Sequence, residues 1–469
     1  MKTIDRFLRY TFAFTLVISL LTLPLVAAVE TEDDLLGGFE ETDSTNGDAL
    51  DGFEDGVSEQ TEKREEVKTE ESIFSFDGHL LVSSSYNYSH DEPETGQTDY
   101  RGLSRLRSTL QLELETKLPN RWKGFVSASG FFDSVYGVNG TDNYTQDVLD
   151  THEQEGELRD AYIQGGVNNL DLKIGRQIVV WGKSDNIRIT DILNPTDNRE
   201  PGMVDIEDLR LPVTMARANY YFGNWNLEMI SIQEKRSHKF PGYGSDFYPA
   251  PFEMPDSEFG DEQEYAVALK GLFSGYDISF FSAKVYDKSP HVESIYPTIE
   301  VNHSYLTMTG FAANVAYGNI LFKTEAAYFD GLEYFYGGGE TKSRTDTLIG
   351  IEYTGLLDQV VSVETANRHI NDFLPSMENL PDNAQEDENI MAVRYSADLL
   401  HSRLHLMGLA LIYGSGGDGG GIQRISAGYD LVDAFLVTAG LINYDSGDQA
   451  FFQNIGENDR LFLEAKYSF

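Results

Sequence analysis

The sequence predicts an all-β fold, a transmembrane antiparallel β-barrel of about 18 strands with 16 as the alternative count. Three observations carry this expectation. The chain opens on an export leader, its body alternates tight turns with long polar connections, and it closes on a strand ending in an aromatic residue.

The leader comes first. Lys2, Arg6 and Arg9 precede an apolar run from Phe12, and Val26-Ala27-Ala28 supplies the small residues a signal peptidase cuts after. Pro24 interrupts the run, which falls short of the ~20 apolar residues of a spanning helix. Residues 1–28 therefore read as a signal peptide, and no other stretch is long and apolar enough to span as a helix. With 0 Cys in 469 residues there is no lipid-anchoring thiol, no disulfide framework and no Cys-ligated metal.

Residues 29–72 hold 17 acids against Lys63, Arg64 and Lys68, a net of −14 with few apolar side chains. Such a segment cannot offset its ordering entropy and is expected to be a disordered acidic tail in the periplasm. Within it LLGGFEE (Leu35–Glu41) is echoed by ALDGFED (Ala49–Asp55). The echo is either a docking motif for a periplasmic or inner-membrane transport partner or an accidental repeat in an acidic linker. The whole-chain net charge of −42 argues against nucleic acid as a partner, because phosphate backbones are bound with Lys and Arg.

Residues 73–469 form the barrel. In Arg105–Leu118, Leu106, Leu110, Leu112, Leu114 and Leu118 alternate with charged and polar residues, the period-two pattern of a strand with one apolar face. Glu264–Gly271 and Met391–Leu399 repeat it, whereas Leu404–Tyr413 is apolar on both faces. Tight turns fall at Pro119–Arg121, Val167–Asn169, Gly223-Asn224, Phe273–Gly275, Gly318-Asn319, Gly355–Asp358, His401-Ser402 and Val432-Asp433. A longer polar segment separates each pair. This rhythm of short periplasmic turns and long outer loops is that of outer-membrane barrels. Trp122 and Trp225 sit at predicted turns, where an aromatic belt would place them. At the end, Leu461, Leu463, Ala465, Tyr467 and Phe469 share one face of a last strand. Tyr467 and Phe469 resemble the signal read by the barrel assembly machinery.

The third long connection, Trp181–Leu211, is unlike the rest. It carries Lys183, Arg188, Arg199 and Arg210 together with Asp185, Asp191, Asp197, Glu200, Asp205, Glu207 and Asp208. It also carries Ile187, Ile189, Ile192, Leu193, Met203, Val204, Ile206 and Leu209, which are awkward on a wet surface. A loop both apolar and doubly charged is accommodated by folding inward, with its apolar residues on the barrel wall and its charges toward water. Lys183, Asp185, Arg188, Asp191, Asp197, Arg199, Asp205 and Arg210 are then candidates for a charged pore constriction. The alternative is that the arginines pair with adjacent acids and only fix the loop.

The same segment resembles a family: large proteobacterial outer-membrane barrels of unknown function whose hallmark runs G-x-Q, WG-x-S, NP-x-D, PG, LPV. The matching residues are Gly175 and Gln177, Trp181-Gly182 and Ser184, Asn194-Pro195 and Asp197, Pro201-Gly202, and Leu211-Pro212-Val213. The match continues through Trp225-Asn226-Leu227-Glu228 and Pro241–Ser245. The resemblance implies a barrel that moves or exports a solute, in company with an inner-membrane transporter for hydrophobic molecules. One departure from the resemblance is that no long apolar N-terminal plug is seen before the barrel, which argues against a fatty-acid-type gate.

Other chemistry finds little support. There is no G-x-S-x-G and no H-E-x-x-H, and the nine His show no ligand spacing beyond His401/His405, which do not share a face on a strand and turn. No cofactor, no catalytic residue and no metal site is expected. The exception is loosely bound Ca²⁺ or Mg²⁺ at acidic outer loops such as Asn379–Glu388, bridging lipopolysaccharide. The barrel holds 59 acids and 29 bases from residue 73 onward, so a lumen of the same sign would favour cations. The sequence thus points to a porin-like channel for small solutes in the outer membrane of a Gram-negative cell, in contact with outer-membrane lipid. The alternative is the barrel component of an envelope export complex for hydrophobic or polymeric substrates.

Overall fold

The computed structural model describes residues 73–469 except 94–96, 251 and 454. The expected signal peptide and the expected disordered acidic tail lie outside the described residues. Eighteen antiparallel strands run from residue 74 to residue 468. They are β1 (Phe74–Asn87), β2 (Gly102–Lys117), β3 (Lys123–Asp133), β4 (Gln154–Val167), β5 (Leu170–Gln177), β6 (Val213–Phe222), β7 (Trp225–Ile232), β8 (Glu264–Phe273) and β9 (Tyr276–Tyr286). After a separate hairpin, β10 (His291–Ser294) and β11 (Glu300–Asn302), come β12 (Tyr305–Tyr317), β13 (Ile320–Leu332), β14 (Lys342–Leu356), β15 (Gln359–Asn371) and β16 (Asp387–Leu399). The last four are β17 (Leu404–Tyr413), β18 (Gly420–Val432), β19 (Phe435–Asp445) and β20 (Arg460–Ser468). Each strand pairs with the next, β9 with β12, and β20 with β1, so no edge is left open. The expected count of 18 holds, and no described helix is long and apolar enough to cross a membrane.

Closure explains the aromatic ending. Leu80 faces Tyr467 and Val82 faces Ala465 across the seam, and the Phe469 N–H donates to the Gly78 carbonyl (2.9 Å). A Cβ on Gly78 would meet the Phe469 ring at 3.0 Å, so glycine makes room for the terminal aromatic. All eight tight turns form where the sequence places them, with left-handed backbone at Asn120, Asn168, Gly223, Gly275, Gly318, Asp358 and His401 among others. Trp225 starts β7 and meets the Phe273 ring edge-on at 5.4 Å, an aromatic cluster at the turn end.

Alternation sorts each strand into two faces. Leu80, Leu110, Ile174, Tyr265, Phe322, Ile349 and Leu463 are exposed on the outside, a surface suited to lipid. Their neighbours Arg105, Glu228, Glu264, Lys323, Glu325, Asp346 and Glu364 are buried on the inside. Nine long loops crown the other end. By sequence they hold 35 of the 59 barrel acids and 9 of the 29 bases, so −26 of the net −30 lies there.

Candidate functional site

Loop three, residues 178–212, folds onto the inner face of the barrel. Val179, Trp181, Ile187, Ile189 and Leu193 share one buried cluster with Met215 of β6, Ile232 of β7, Phe281 of β9, Met308 of β12, Leu348 of β14 and Ala392 of β16. Each large side chain so buried contributes roughly 1.5–3 kcal/mol. Leu411 and Tyr413 pack on the same cluster, which accounts for β17 being apolar on both faces. Farther along, Met203 joins a second cluster with Ile422, Ile442 and Tyr444 on β18 and β19. A Cβ on Gly202 would stand 3.0 Å from Ile422, so glycine permits that approach. The loop therefore touches both walls. Val204 differs from expectation: it is exposed and lines the turn-side cavity described below.

Two buried carboxylates anchor the middle of the loop. Glu325 on β13 accepts the backbone N–H groups of Lys183, Ser184 (2.7 Å) and Thr190 (3.1 Å), and the Thr190 hydroxyl (2.8 Å). Glu364 on β15 accepts the N–H groups of Asp185 (3.0 Å), Asn186 (3.1 Å) and Ile187 (3.3 Å), and the Ser184 hydroxyl (2.7 Å). Gly182, at φ +88°, lets Glu325 approach, because a Cβ there would stand 2.7 Å from its carboxylate. Trp181 donates its indole N–H to Glu228 (2.8 Å) and stacks on Phe281 at 4.8 Å between ring centroids. Asn194 ties the two ends of the loop, accepting from Val179 N–H (2.8 Å) and donating to the carbonyls of Gln177 (3.2 Å) and Leu211 (2.9 Å). The motif residues are thus the joints that dock the loop. Glu228 belongs to the Trp225-Asn226-Leu227-Glu228 motif, but Glu325 and Glu364 carry no signal in the sequence.

The eight constriction candidates are all ion-paired. Arg188 and Arg210 converge on Asp191, at 3.7 and 2.8 Å. Arg199 grips Asp197 and also Glu155 (2.6 Å). Lys183 pairs with Asp277 of β9, Asp185 with Lys323 of β13, and Asp205 with Arg424 of β18 (2.6 Å). Burial lowers the Arg188 guanidinium to about 10, so it stays charged at neutral pH.

These residues divide between two cavities. Arg188 and Asp191 line one of about 690 Å³ on the loop side, with Asp287, Glu333 and Asp382 from neighbouring loops. Asp197, Arg199 and Asp205 line another of about 810 Å³ on the turn side, with His79, Asp398 and His405. Leu209 borders both. Lys183, Asp185 and Arg210 border neither. The loop-side lining has four Lys or Arg and five Asp or Glu, and the turn-side lining has seven and eight. The lumen does not share the strong acidity of the chain, because that excess sits on the loops.

In the Asn379–Glu388 segment three of the four acids have protein partners for their carboxylates. Asp382 accepts from Phe335 and Tyr336 N–H groups, Asp387 meets His369 (3.0 Å), and Glu388 meets Arg368 (3.2 Å). At the turn end His405 bridges Asp398 and Asp430, while His401 sits in the turn itself.

Two neutral histidines hold loops against one another. His238 in loop four accepts the Thr196 N–H on Nδ1 (2.9 Å), and His152 in loop two accepts the Gly242 N–H on Nε2 (3.1 Å). Burial lowers both to about 4. Between pH 6.5 and 4 the unfolded chain binds more protons at these sites, so this docking weakens as pH falls through that window and is fully present above it. Melting temperature is expected to drop with acidification over that range. His238→Asn with His152→Gln, which keep an acceptor without titrating, should flatten the curve.

The sequence profile of the family described as "Protein of unknown function (DUF1302)" matches residues 10–469. The chain belongs to this family. No curated protein sequence matches it. Among solved structures, Acinetobacter baumannii OccAB3 is similar at 12% identity and TM-score 0.51, over 84% of this chain and 99% of that one. Acinetobacter baumannii OccAB1 follows at 10% identity and TM-score 0.49, over 84% and 96%. The Pseudomonas aeruginosa outer membrane protein OpdK stands at 11% and 0.47, over 84% and 99%. The DUF1302 barrel thus shares the porin-like channel fold.

Proposed function

We propose that this protein is an outer-membrane channel for small solutes, with loop three as a charged constriction between two vestibules. The observation that carries the reading is the position of loop three, which borders one cavity on each side and docks on opposite walls. Its eight candidate charges are paired, so they act as a fixed field rather than as free ligands. Near-balance of acids and bases in both linings supports weak ion selectivity, against the cation preference that net charge alone suggested. The acidic outer loops would face lipopolysaccharide. Residue 73 lies at the turn end, so the acidic tail would hang in the periplasm, within reach of a transport partner. Tyr467 and Phe469 would serve assembly. The reading assigns no catalysis.

Single-channel recording of the refolded barrel in a planar bilayer under a KCl gradient tests it. Steady openings with a reversal potential near zero are expected. Arg188→Glu exchanges a base for an acid in the loop-side lining and should move the reversal potential toward the cation limit. Absence of openings from correctly folded barrels would overturn free diffusion and favour the barrel of an export complex.

A further inference from the structure

Three potential metal ligands gather beside the loop-side cavity, two of them in its lining. His291 and Glu293 stand on the β10–β11 hairpin of loop five, and Glu333 opens loop six. Nε2 of His291 is 3.3 Å from Glu293 Oε2 and 3.4 Å from Glu333 Oε2, and the three donor atoms all lie within 4.8 Å of one another. Ligands placed tetrahedrally at ~2.0–2.1 Å from one ion stand about 3.4 Å apart, so two of the three edges already have the length a metal would set.

The second ring nitrogen is also accounted for. Nδ1 lies 3.3 Å from the Ser304 hydroxyl, which accepts the Glu333 N–H at 3.0 Å. That outer contact orients the imidazole with Nε2 toward the carboxylates, the arrangement metal-bound histidines use. The His291 side chain is largely buried while both carboxylates are about half exposed, which leaves room for water to complete the coordination. We infer that His291, Glu293 and Glu333 bind one transition-metal dication of the Zn²⁺ class, linking loop five to loop six. One imidazole with two carboxylates suits Zn²⁺, whereas Ca²⁺ and Mg²⁺ take oxygen ligands alone. His291 and Glu333 line the loop-side cavity, so the bound ion would place two positive charges at its wall.

The residues also fit an ion pair between a protonated histidine and two glutamates. The two differ in sign with pH: protonation strengthens the pair and expels the metal. Calorimetric titration of the chelator-stripped, untagged full barrel with ZnCl₂ distinguishes them. One-to-one binding is expected, tighter at pH 7.5 than at pH 5.5 because protons compete with the metal for its ligands. His291→Ala and Glu333→Gln should each weaken it about tenfold or more. Both substitutions lie in loops, and far-ultraviolet circular dichroism checks that the barrel is retained. Visible absorption of Co²⁺ in the same site gives a second readout. Zn²⁺ binding equal in all three proteins, binding that Ca²⁺ displaces equally well, or no binding at millimolar Zn²⁺ would overturn the assignment.

Discussion

Glu325→Ala combined with Glu364→Ala is expected to loosen residues 182–190, raise single-channel conductance and make it noisy. The two carboxylates accept six backbone N–H groups of loop three and the hydroxyls of Ser184 and Thr190. A buried donor left without a partner costs ~1–3 kcal/mol, so the pair of substitutions removes several kcal/mol of docking. Water entering from the cavities recovers part of that. The apolar anchors Trp181, Ile187, Ile189 and Leu193 oppose release, at roughly 1.5–3 kcal/mol each. The buried anchors at Trp181 and Leu193 hold the flanks, and Ile187 and Ile189 oppose the lost acceptors between them, so the loop should fluctuate rather than leave. Adding Trp181→Ala, a loss of ~3–5 kcal/mol, should release it. Trypsin cleavage of folded barrels after Lys183 and Arg188 reads the same event. Conductance and cleavage both unchanged in the double variant would mean that the carboxylates do not hold the loop.

The barrel was legible because closure imposes a regular rhythm that survives weak strand signals. Asn168, Gly223, Gly318 and Asp358 mark turns through local backbone chemistry, and Phe469 marks the seam. Loop three was legible as an inward fold for the same kind of reason: Ile187, Ile189 and Leu193 have no place on a wet surface. Contacts that join distant positions left no trace. Glu325 sits in Thr324-Glu325-Ala326 like any inward polar residue, and its partners are backbone N–H groups some 140 positions away. Backbone donors carry no side-chain pattern to read. The pairs within the loop, Arg188–Asp191–Arg210 and Asp197–Arg199, were within reach of sequence reasoning, while Lys183–Asp277 and Asp205–Arg424 were not. His291 and Glu333 likewise meet only because loops five and six fold side by side. Net charge misled most, because composition sums the loops and the lumen without saying where the acids stand.

Glu200→Ala is expected to match Trp181→Ala among the damaging single changes in loop three, costing ~3–5 kcal/mol because it leaves the buried Arg105 cation without its partner. Glu200 bridges Arg105 and Arg107 of β2, accepting from Arg107 at 2.8 and 3.3 Å and from Arg105 as well. Arg105 is 4% exposed, and no other acid stands as its ion-pair partner among the described residues, whereas Arg107 keeps Asp133 at 3.2 Å. Burial alone would raise the Glu200 carboxyl, but Arg105 and Arg107 hold it well below the usual carboxylate range. Its contribution is therefore complete above about pH 4.5 and lost only as pH falls through that depressed value, later than the histidine window at pH 6.5 to 4. Arg105→Met alongside Glu200→Ala should restore much of the loss, since the cation that would be stranded is gone and Arg107 retains Asp133. Chemical or thermal unfolding of the single and double variants measures this as a coupling energy. In the channel, Glu200→Ala alone adds one net positive charge beside the turn-side cavity, which Arg105 and Arg107 line. The reversal potential should shift toward anions and return when Arg105 is replaced too. A single variant as stable as the parent would mean that water reaches both guanidinium groups, and the far end of loop three would then be a wet contact rather than a dry joint.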